Sequence, residues 1–305
     1  MSTTMLFFQA ILLSVFAEAK SNGGPIVTLN NGVKMPLVGA GVWQYNSSTA
    51  YQSILDAVNI GYKHIDTAWN YKNQDGVGKA MKTLNRSSIF LTTKVPGCGK
   101  YGMNMSDCYS ATKKMYEDDL ALLDTIPDMV LVHFPPTTGC DDCKPIQDQW
   151  KAMEEFYKQK KTRAIGVSNY CPKCLACLNE TATVQPAINQ FELHVGMGTD
   201  PIGLISYCLE RNILPQAYSP LGNGSPDLIH GKITGDIGSH YNKSSVQIAL
   251  KWIVQKGYGV LTKSTKPRNL AADIDIFDFN LTDAQMQTLD SQTKPEGTPS
   301  FMCNA

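Results

Sequence analysis

A chain of 305 residues with no net formal charge and 43% apolar residues has ample material for a sizeable buried core. Its balanced charge gives no long-range attraction to nucleic acid or an anionic membrane, and no run of like charges reads as an interaction tail. The same composition excludes a disordered chain.

The chain opens on an apolar run, Met5 to Phe16, too short to span a bilayer comfortably and ending at Ala17-Glu18-Ala19. That small-x-small ending suits signal peptidase, so residues 1–19 read as a signal peptide and 20–305 as a single mature domain. Asn-x-Ser/Thr sequons at Asn46, Asn85, Asn104, Asn179, Asn242 and Asn280 point to the same route. The expectation is a glycosylated protein of the secretory pathway, secreted or held in the endoplasmic reticulum lumen, with no membrane span once mature; a cytoplasmic protein is expected only if the leader does not function. Nine cysteines must fit that compartment. Cys140-x-x-Cys143 with Cys171-x-x-Cys174 has zinc-site spacing in a reducing compartment, whereas an oxidising lumen favours disulfides. Disulfides and no metal are expected; connectivity is not readable, and the odd count leaves one thiol over.

After the leader, Pro25 to Val33 reads as a small hairpin turning at Asn30-Asn31-Gly32. Eight short apolar runs follow: Leu37–Trp43, His64–Thr67, Ile89–Lys94, Met129–His133, Ala164–Ser168, Ala187–Phe191, Ile213–Tyr218 and Gly259–Lys263. Between them the pattern turns helical, most clearly over Ala111–Leu123, Gln149–Gln159 and Val246–Val254. Thr282-Asp283-Ala284-Gln285 is a capping box that opens a last helix. Eight strand–helix units predict an α/β fold, the (β/α)8 TIM barrel, with a short N-terminal hairpin. A doubly wound open sheet is the alternative, but its glycine-rich phosphate turn after the first strand is missing.

In a barrel, chemistry collects at the C-terminal ends of the strands. Those ends carry Trp43, Asp66 with Tyr71, Lys94, His133, Ser168-Asn169, Gln190 with Glu192, Tyr218-Ser219 and Lys263-Ser264. Lys94 beside Tyr71 would lower the phenol pKa, and Asp66 would keep Lys94 charged. His133 could hydrogen-bond a substrate oxygen. The four together suit proton donation to a developing alkoxide.

The motifs His64-Ile65-Asp66-Thr67-Ala68 with Tyr71, Thr93-Lys94-Val95, Val132-His133-Phe134-Pro135, Ile165-Gly166-Val167-Ser168-Asn169, Asn189-Gln190, Tyr218-Ser219-Pro220-Leu221 and Lys263-Ser264 resemble the aldo-keto reductase superfamily from about Val33 to the C-terminus. The resemblance implies the same barrel and metal-free, NAD(P)H-dependent reduction of aldehydes and ketones by a monomer, with a small carbonyl compound as partner. By similarity Tyr71 is the proton donor, tuned by Lys94 and Asp66, and His133 orients the carbonyl. Ser168, Asn169 and Gln190 would hold the nicotinamide carboxamide, and Tyr218 would stack on its ring. Ser219, Leu221 and the loop from Gly222 to Ser239 would cover the pyrophosphate. Lys263 and Ser264 would grip the adenosine 2′-phosphate, and Trp43, His133 and Phe134 would wall the substrate pocket, with Trp43 and Asp66 also flanking the cofactor.

The departures are specific. Six residues beyond Lys263, where the family has Arg, stands Asn269, and the two adenine-gripping positions hold Ala272 and Asp273. Arg268 lies one place early, so NADPH is the expected cofactor, with NADH also open. Phe134 replaces a common Trp. The loop Pro135–Pro145, with Cys140 and Cys143, would be pinned by a disulfide, which would narrow the substrate range. Two other functions compete: a secreted, catalytically weak binding glycoprotein of this fold, and a barrel glycosidase. The latter needs two free opposed carboxylates, and Asp66 is committed to Lys94.

Overall fold

The computed structural model describes residues 24–297; the expected leader and the last residues of the tail lie outside them. Strands β1 (Ile26–Thr28) and β2 (Lys34–Pro36) form an antiparallel hairpin. Eight parallel strands then close into a barrel: β3 (Val38–Gly41), β4 (His64–Asp66), β5 (Phe90–Val95), β6 (Met129–Val132), β7 (Ala164–Ser168), β8 (Ile188–Glu192), β9 (Leu214–Tyr218) and β10 (Gly259–Thr262). They pair in chain order, and β10 seals the barrel between β9 and β3. The fold is the expected TIM barrel, and each barrel strand lies within two residues of its predicted ends.

The strands read as apolar runs rather than alternating patterns because both faces are covered, one by the barrel interior and the other by helices. All six residues of β5 are buried, Lys94 included. The helices are α1 (Ser47–Ile60), α2 (Gln74–Thr83), α3 (Cys108–Leu123), α4 (Lys144–Lys158), α5 (Pro172–Asn179), α6 (Leu204–Glu210), α7 (Pro226–Ile229), α8 (Lys232–Ser239), α9 (Ser245–Gln255), α10 (Pro267–Ile274) and α11 (Asp283–Asp290). Their starts are chemically marked. Asn46 caps α1 by accepting from the Thr49 amide, and reciprocal capping boxes open α9 (Ser244 with Gln247) and α11 (Thr282 with Gln285).

The hairpin extends further than its sequence suggests, since its second strand runs on to Pro36 instead of stopping at Val33. The turn spans Leu29 to Val33, where Gly32 takes φ 83° and the Asn31 side chain accepts from the Val33 amide. Asn30 and Asn31 then donate to the carbonyls of Pro186 and Arg163, so the hairpin plugs the N-terminal end of the barrel. The hairpin does not cover the opposite end, where the C-terminal ends of the barrel strands lie.

The cysteines pair as Cys98–Cys108, Cys140–Cys174 and Cys143–Cys177, with Cα separations of 5.6, 5.0 and 5.0 Å. Cys140 and Cys143 therefore meet Cys174 and Cys177, not the Cys171-x-x-Cys174 pair that zinc spacing would have matched. Cys171 Sγ lies 3.9 Å from Cys174 Sγ. Cys208 is a buried free thiol, pushed up to about 12 by burial. Among the described residues no helix is long and apolar enough to cross a membrane.

Asp128 braces the barrel far from the mouth. Its carboxylate accepts from Arg86 at 2.8 Å, the Leu91 amide at 2.9 Å and Arg163 at 2.7 Å. Asp128→Ala leaves a buried amide and two guanidinium groups short of a partner, and should cost about 2–3 kcal/mol in a denaturation midpoint series.

Candidate active site

The strand register sets the site. Asp66 pairs with Thr92 across β4 and β5, and Lys94, two residues further on, projects from the same face. Lys94 Nζ lies 2.5 Å from Asp66 Oδ1, donates to the Thr67 carbonyl at 2.9 Å, and donates to the Tyr71 hydroxyl at 3.3 Å. Both ionised partners are sealed from water. Tyr71 arrives from a 3-10 turn, Trp69–Tyr71, that ends at Lys72 with φ 60°. The buried Asn73 holds this loop, its Nδ2 donating to the carbonyls of Val42 and Tyr45 at 2.9 Å each.

His133 stands one residue beyond β6, its amide donating to Val95 O at 2.8 Å. The ring meets Tyr71 edge-on at 5.7 Å between centroids and stacks on Phe134 at 4.3 Å. Its Nδ1 lies 2.7 Å from Asn70 Oδ1. The four expected residues, Tyr71, Asp66, Lys94 and His133, thus share one cluster at the barrel mouth.

Burial dominates the electrostatics. It pushes the Tyr71 phenol well above its ordinary value, aided by the charge of Asp66, which reverses the direction expected from Lys94 alone. Burial also lowers Lys94, while Asp66 opposes it. His133 is held well below the usual imidazole range, first by burial and then by Lys94, so its ring is neutral. A neutral phenol, a neutral imidazole and one ammonium therefore face the mouth.

The neighbouring strand ends form a second polar layer. Ser168 Oγ donates to Gln190 O at 2.8 Å, and Asn169 Nδ2 donates to His133 O and Ser168 Oγ at 2.9 and 3.0 Å. Asn169 sits at φ 63°, a conformation asparagine tolerates. Tyr218 donates its hydroxyl to Asn169 Oδ1 at 2.7 Å. Gln190 is turned inward, Nε2 donating to Asp66 Oδ2 at 3.0 Å and to Gln216 Oε1 at 2.8 Å. Gln216 and Asn70 were not singled out in the sequence. The signal for Asn70 is a polar residue flanked by two aromatics one step before Tyr71.

Further round the rim, Ser219 donates to Asn223 Oδ1 at 2.8 Å, and Leu221 is half-buried against the core. Lys263 Nζ reaches Gln44 Oε1 at 2.8 Å and Trp43 O at 3.2 Å, and lies 5.3 Å over the Trp43 ring. Trp43 is 47% exposed at the mouth. Ser264 Oγ accepts from the Lys266 amide at 3.1 Å at the start of α10. Arg268 is exposed there, with no ion-pair partner among the described residues. Lys263, Lys266 and Arg268 give this stretch of the rim three cationic donors, the chemistry a phosphate dianion requires. Glu192 accepts from Asn223 at 3.3 Å, whereas Asp66 is tied to Lys94 and Gln190, so Asp66 is committed to an ion pair rather than free to act as the second carboxylate of a glycosidase.

Comparison with known proteins places this geometry. The profile of the Aldo/keto reductase family matches residues 35–228 and 230–294. The 9,11-endoperoxide prostaglandin H2 reductase of Trypanosoma cruzi is 35% identical over 270 residues, covering 87% of this chain and 90% of that protein. Glyoxal reductase of Bacillus subtilis is 36% identical over 274 residues, covering 88% and 93%. The crystal structure of a Bombyx mori aldo-keto reductase in complex with NADP superposes with a TM-score of 0.76 at 25% identity, covering 88% of this chain and 92% of that one.

The raised phenol gives a direct check. Difference absorbance between the wild type and Tyr71→Phe should show no phenolate from Tyr71 as pH rises to its ordinary value of 10.0. A phenolate signal appearing well below that pH would mean that the ammonium outweighs burial.

Proposed function

This chain belongs to the aldo/keto reductase family and is an oxidoreductase of carbonyl chemistry; from that premise we propose that it reduces an aldehyde or ketone with NADPH and a proton from Tyr71. The observation that carries the reading is the Asp66–Lys94–Tyr71 contact. Lys94 donates to the phenol oxygen, so the phenol's own hydrogen is left to point elsewhere, toward the cleft. As negative charge grows on a substrate oxygen, Tyr71 Oη gives up its proton, and the ammonium at 3.3 Å stabilises the phenolate left behind. Asp66 keeps that ammonium charged in a sealed environment. A phenol held above its ordinary pKa still suits this task, because a developing alkoxide is a stronger base than the phenolate.

NADPH, when bound, supplies the hydride. Ser168, Asn169 and Gln190 are assigned to the carboxamide, Tyr218 to the ring face, Ser219 and Leu221 to the pyrophosphate, and Lys263, Ser264 and Arg268 to the adenosine phosphate. The relative from Bombyx mori, described in complex with NADP, supports this cofactor, and Arg268, exposed and without an ion-pair partner among the described residues, supports the phosphate assignment. NADH use is expected to be weaker. Trp43, His133 and Phe134 are assigned to the substrate pocket.

We also propose that the protein acts as a secreted or luminal glycoprotein, a monomer of one domain after loss of residues 1–19. The asparagines of the sequons named above are exposed, which glycosylation requires, and three cysteine pairs stand at disulfide distance.

Two measurements test these readings. Tyr71→Phe should bind NADPH as the wild type does, by quenching of tryptophan fluorescence, while the rate of carbonyl reduction falls about 10²–10⁴-fold; normal turnover would refute the proton assignment. Protein from a secreting host should begin near residue 20 and lose mass on treatment with a peptide N-glycosidase. A retained leader or an unchanged mass would overturn the secretory reading.

A further inference from the structure

A second buried carboxyl stands behind the mouth and takes no part in the chemistry above. Thr93 precedes Lys94 in β5, so the two side chains leave opposite faces of the strand, Lys94 into the barrel and Thr93 toward the helices. There Thr93 Oγ1 donates to Asp119 Oδ2 of α3 at 2.6 Å, and both residues are fully buried. The other oxygen, Asp119 Oδ1, is sealed and makes no hydrogen bond among the described residues. Gln74, the first residue of α2, has a sealed Nε2 in the same condition. One atom is an acceptor and the other a donor.

Helical register turns the two toward each other. Gly78 of α2 lies so close to α3 that a Cβ there would stand 2.4 Å from the Leu123 carbonyl oxygen. One turn earlier on each helix are Gln74 and Asp119. The Gln74 side chain also lowers the Asp119 pKa, as a donor aimed at a carboxylate does. Gln74 is tied in turn to the loop of the proton donor. Its Oε1 accepts from the Asn73 amide at 3.2 Å, and Asn73 holds that loop on the carbonyls of Val42 and Tyr45. One carboxyl therefore reaches the residue beside Lys94 on one side and the root of the Tyr71 loop on the other. Asp119 also acts on Lys94 through the strand, favouring the ammonium in addition to Asp66.

We propose that Asp119 is a positioning residue for the proton transfer: as a carboxylate it takes the Thr93 hydroxyl on one oxygen and the Gln74 amide on the other, and so holds the Lys94 ammonium against the Tyr71 hydroxyl. This rests on the reductase reading above and adds to it a residue that stands behind the strand rather than in the cleft. Only the ionised carboxyl accepts from both donors; once protonated, one oxygen turns a hydrogen of its own toward a donor. Burial pushes Asp119 up to about 7, against the pull of Thr93, Gln74 and Lys94, so the exchange falls near neutrality. The groups packed on it are Thr93 and Lys94 from β5, Gln74 from α2 and Tyr116 from its own helix. Of these only Lys94 and Tyr116 ionise, and burial keeps the Tyr116 phenol neutral by raising it.

The carboxyl ¹³C shift of Asp119, followed in the intact protein without turnover, should titrate near pH 7; a midpoint nearer the ordinary value of 3.8 overturns the proposal. The single-turnover rate of NADPH oxidation at saturating carbonyl should fall about 10-fold as pH drops through that same midpoint. Asp119→Asn keeps hydrogen-bonding groups at both ends without the charge, and should show the lower rate across the whole range, with NADPH affinity and KM for the carbonyl unchanged. Gln74→Glu combined with Asp119→Asn returns a carboxylate to the contact from the other helix, and should recover most of the rate. A merely structural role gives a wild-type rate in Asp119→Asn, or a double variant no faster than the single one, and either result overturns the proposal. So does a neutral limb that survives in Asp119→Asn, since it would belong to Lys94 or another group. Should Asp119→Asn fail to fold, the wild type decides, and separate midpoints for rate and ¹³C shift overturn the proposal. All of these leave the reductase reading standing; failure of the wild type to oxidise NADPH with any of a panel of aldehydes and ketones overturns both.

Discussion

An ammonium and a carboxylate sealed inside the barrel mouth are what the remaining structure must accommodate. Lys94 and Asp66 are both closed to solvent, and an unpaired charge in either place would be costly by several kcal/mol. The barrel provides the remedy through register. Strands β4 and β5 set Asp66 opposite Thr92, so the next inward position after Thr92 is Lys94. The Thr67 carbonyl and Gln190 complete the pair, one accepting from Nζ and the other donating to the second carboxylate oxygen. A layer below, His64 is neutral, lowered to about 4 by burial, its Nδ1 donating to Pro36 O and its Nε2 accepting from Thr92 Oγ1. The interior thus passes from an uncharged polar plug to a charged pair to an open mouth.

The strands were legible because parallel barrel strands are short, apolar and spaced by helices, and because a lysine or histidine ending such a run has no surface to escape to. Lys94 and His133 stand out for that reason. Helix starts were legible where a side chain does the capping, as at Thr282 and Gln285. What the sequence hid depends on three-dimensional sums. The ammonium alone lowers a phenol pKa, yet desolvation of Tyr71 outweighs it, and only burial in the folded chain reveals that balance. Cysteine pairing was equally hidden, since chain spacing makes Cys171-x-x-Cys174 the natural partner of Cys140-x-x-Cys143. The observed pairs instead run from the loop before α4 onto successive turns of α5, each closing a span of 34 residues. Asn70 was missed because its meaning lies in a contact 63 residues away.

The disulfides act on the same end of the barrel as the chemistry. Cys98–Cys108 closes the loop after β5, which carries Tyr101 toward Asn70. The Cys140 and Cys143 bonds tie the loop after β6, which follows His133 and Phe134 directly, to α5. Barrel enzymes vary their function through these loops, and loops are ordinarily the least restrained part of the fold. Here covalent links limit how far the walls beside His133 can move. That restraint agrees with a histidine whose ring is fixed on both sides, by Phe134 stacking and by Asn70.

The phosphate end of the rim follows helical geometry. Successive residues of a helix differ by about 100° in direction, so Arg268, one place earlier than the family's arginine, leaves α10 on a different side. Asn269 takes the vacated direction without a charge, and Asp273, where an adenine contact is usual, is turned inward instead. It is buried near Tyr62, and burial raises its carboxyl to about 7. A carboxyl drawn into the protein interior cannot face adenine, so that contact is absent from the rim. On the proposed reading, the grip on a phosphate would fall to Lys263, Ser264 and the exposed Arg268 side chain, so that charge, rather than shape around the base, would be the main source of cofactor affinity.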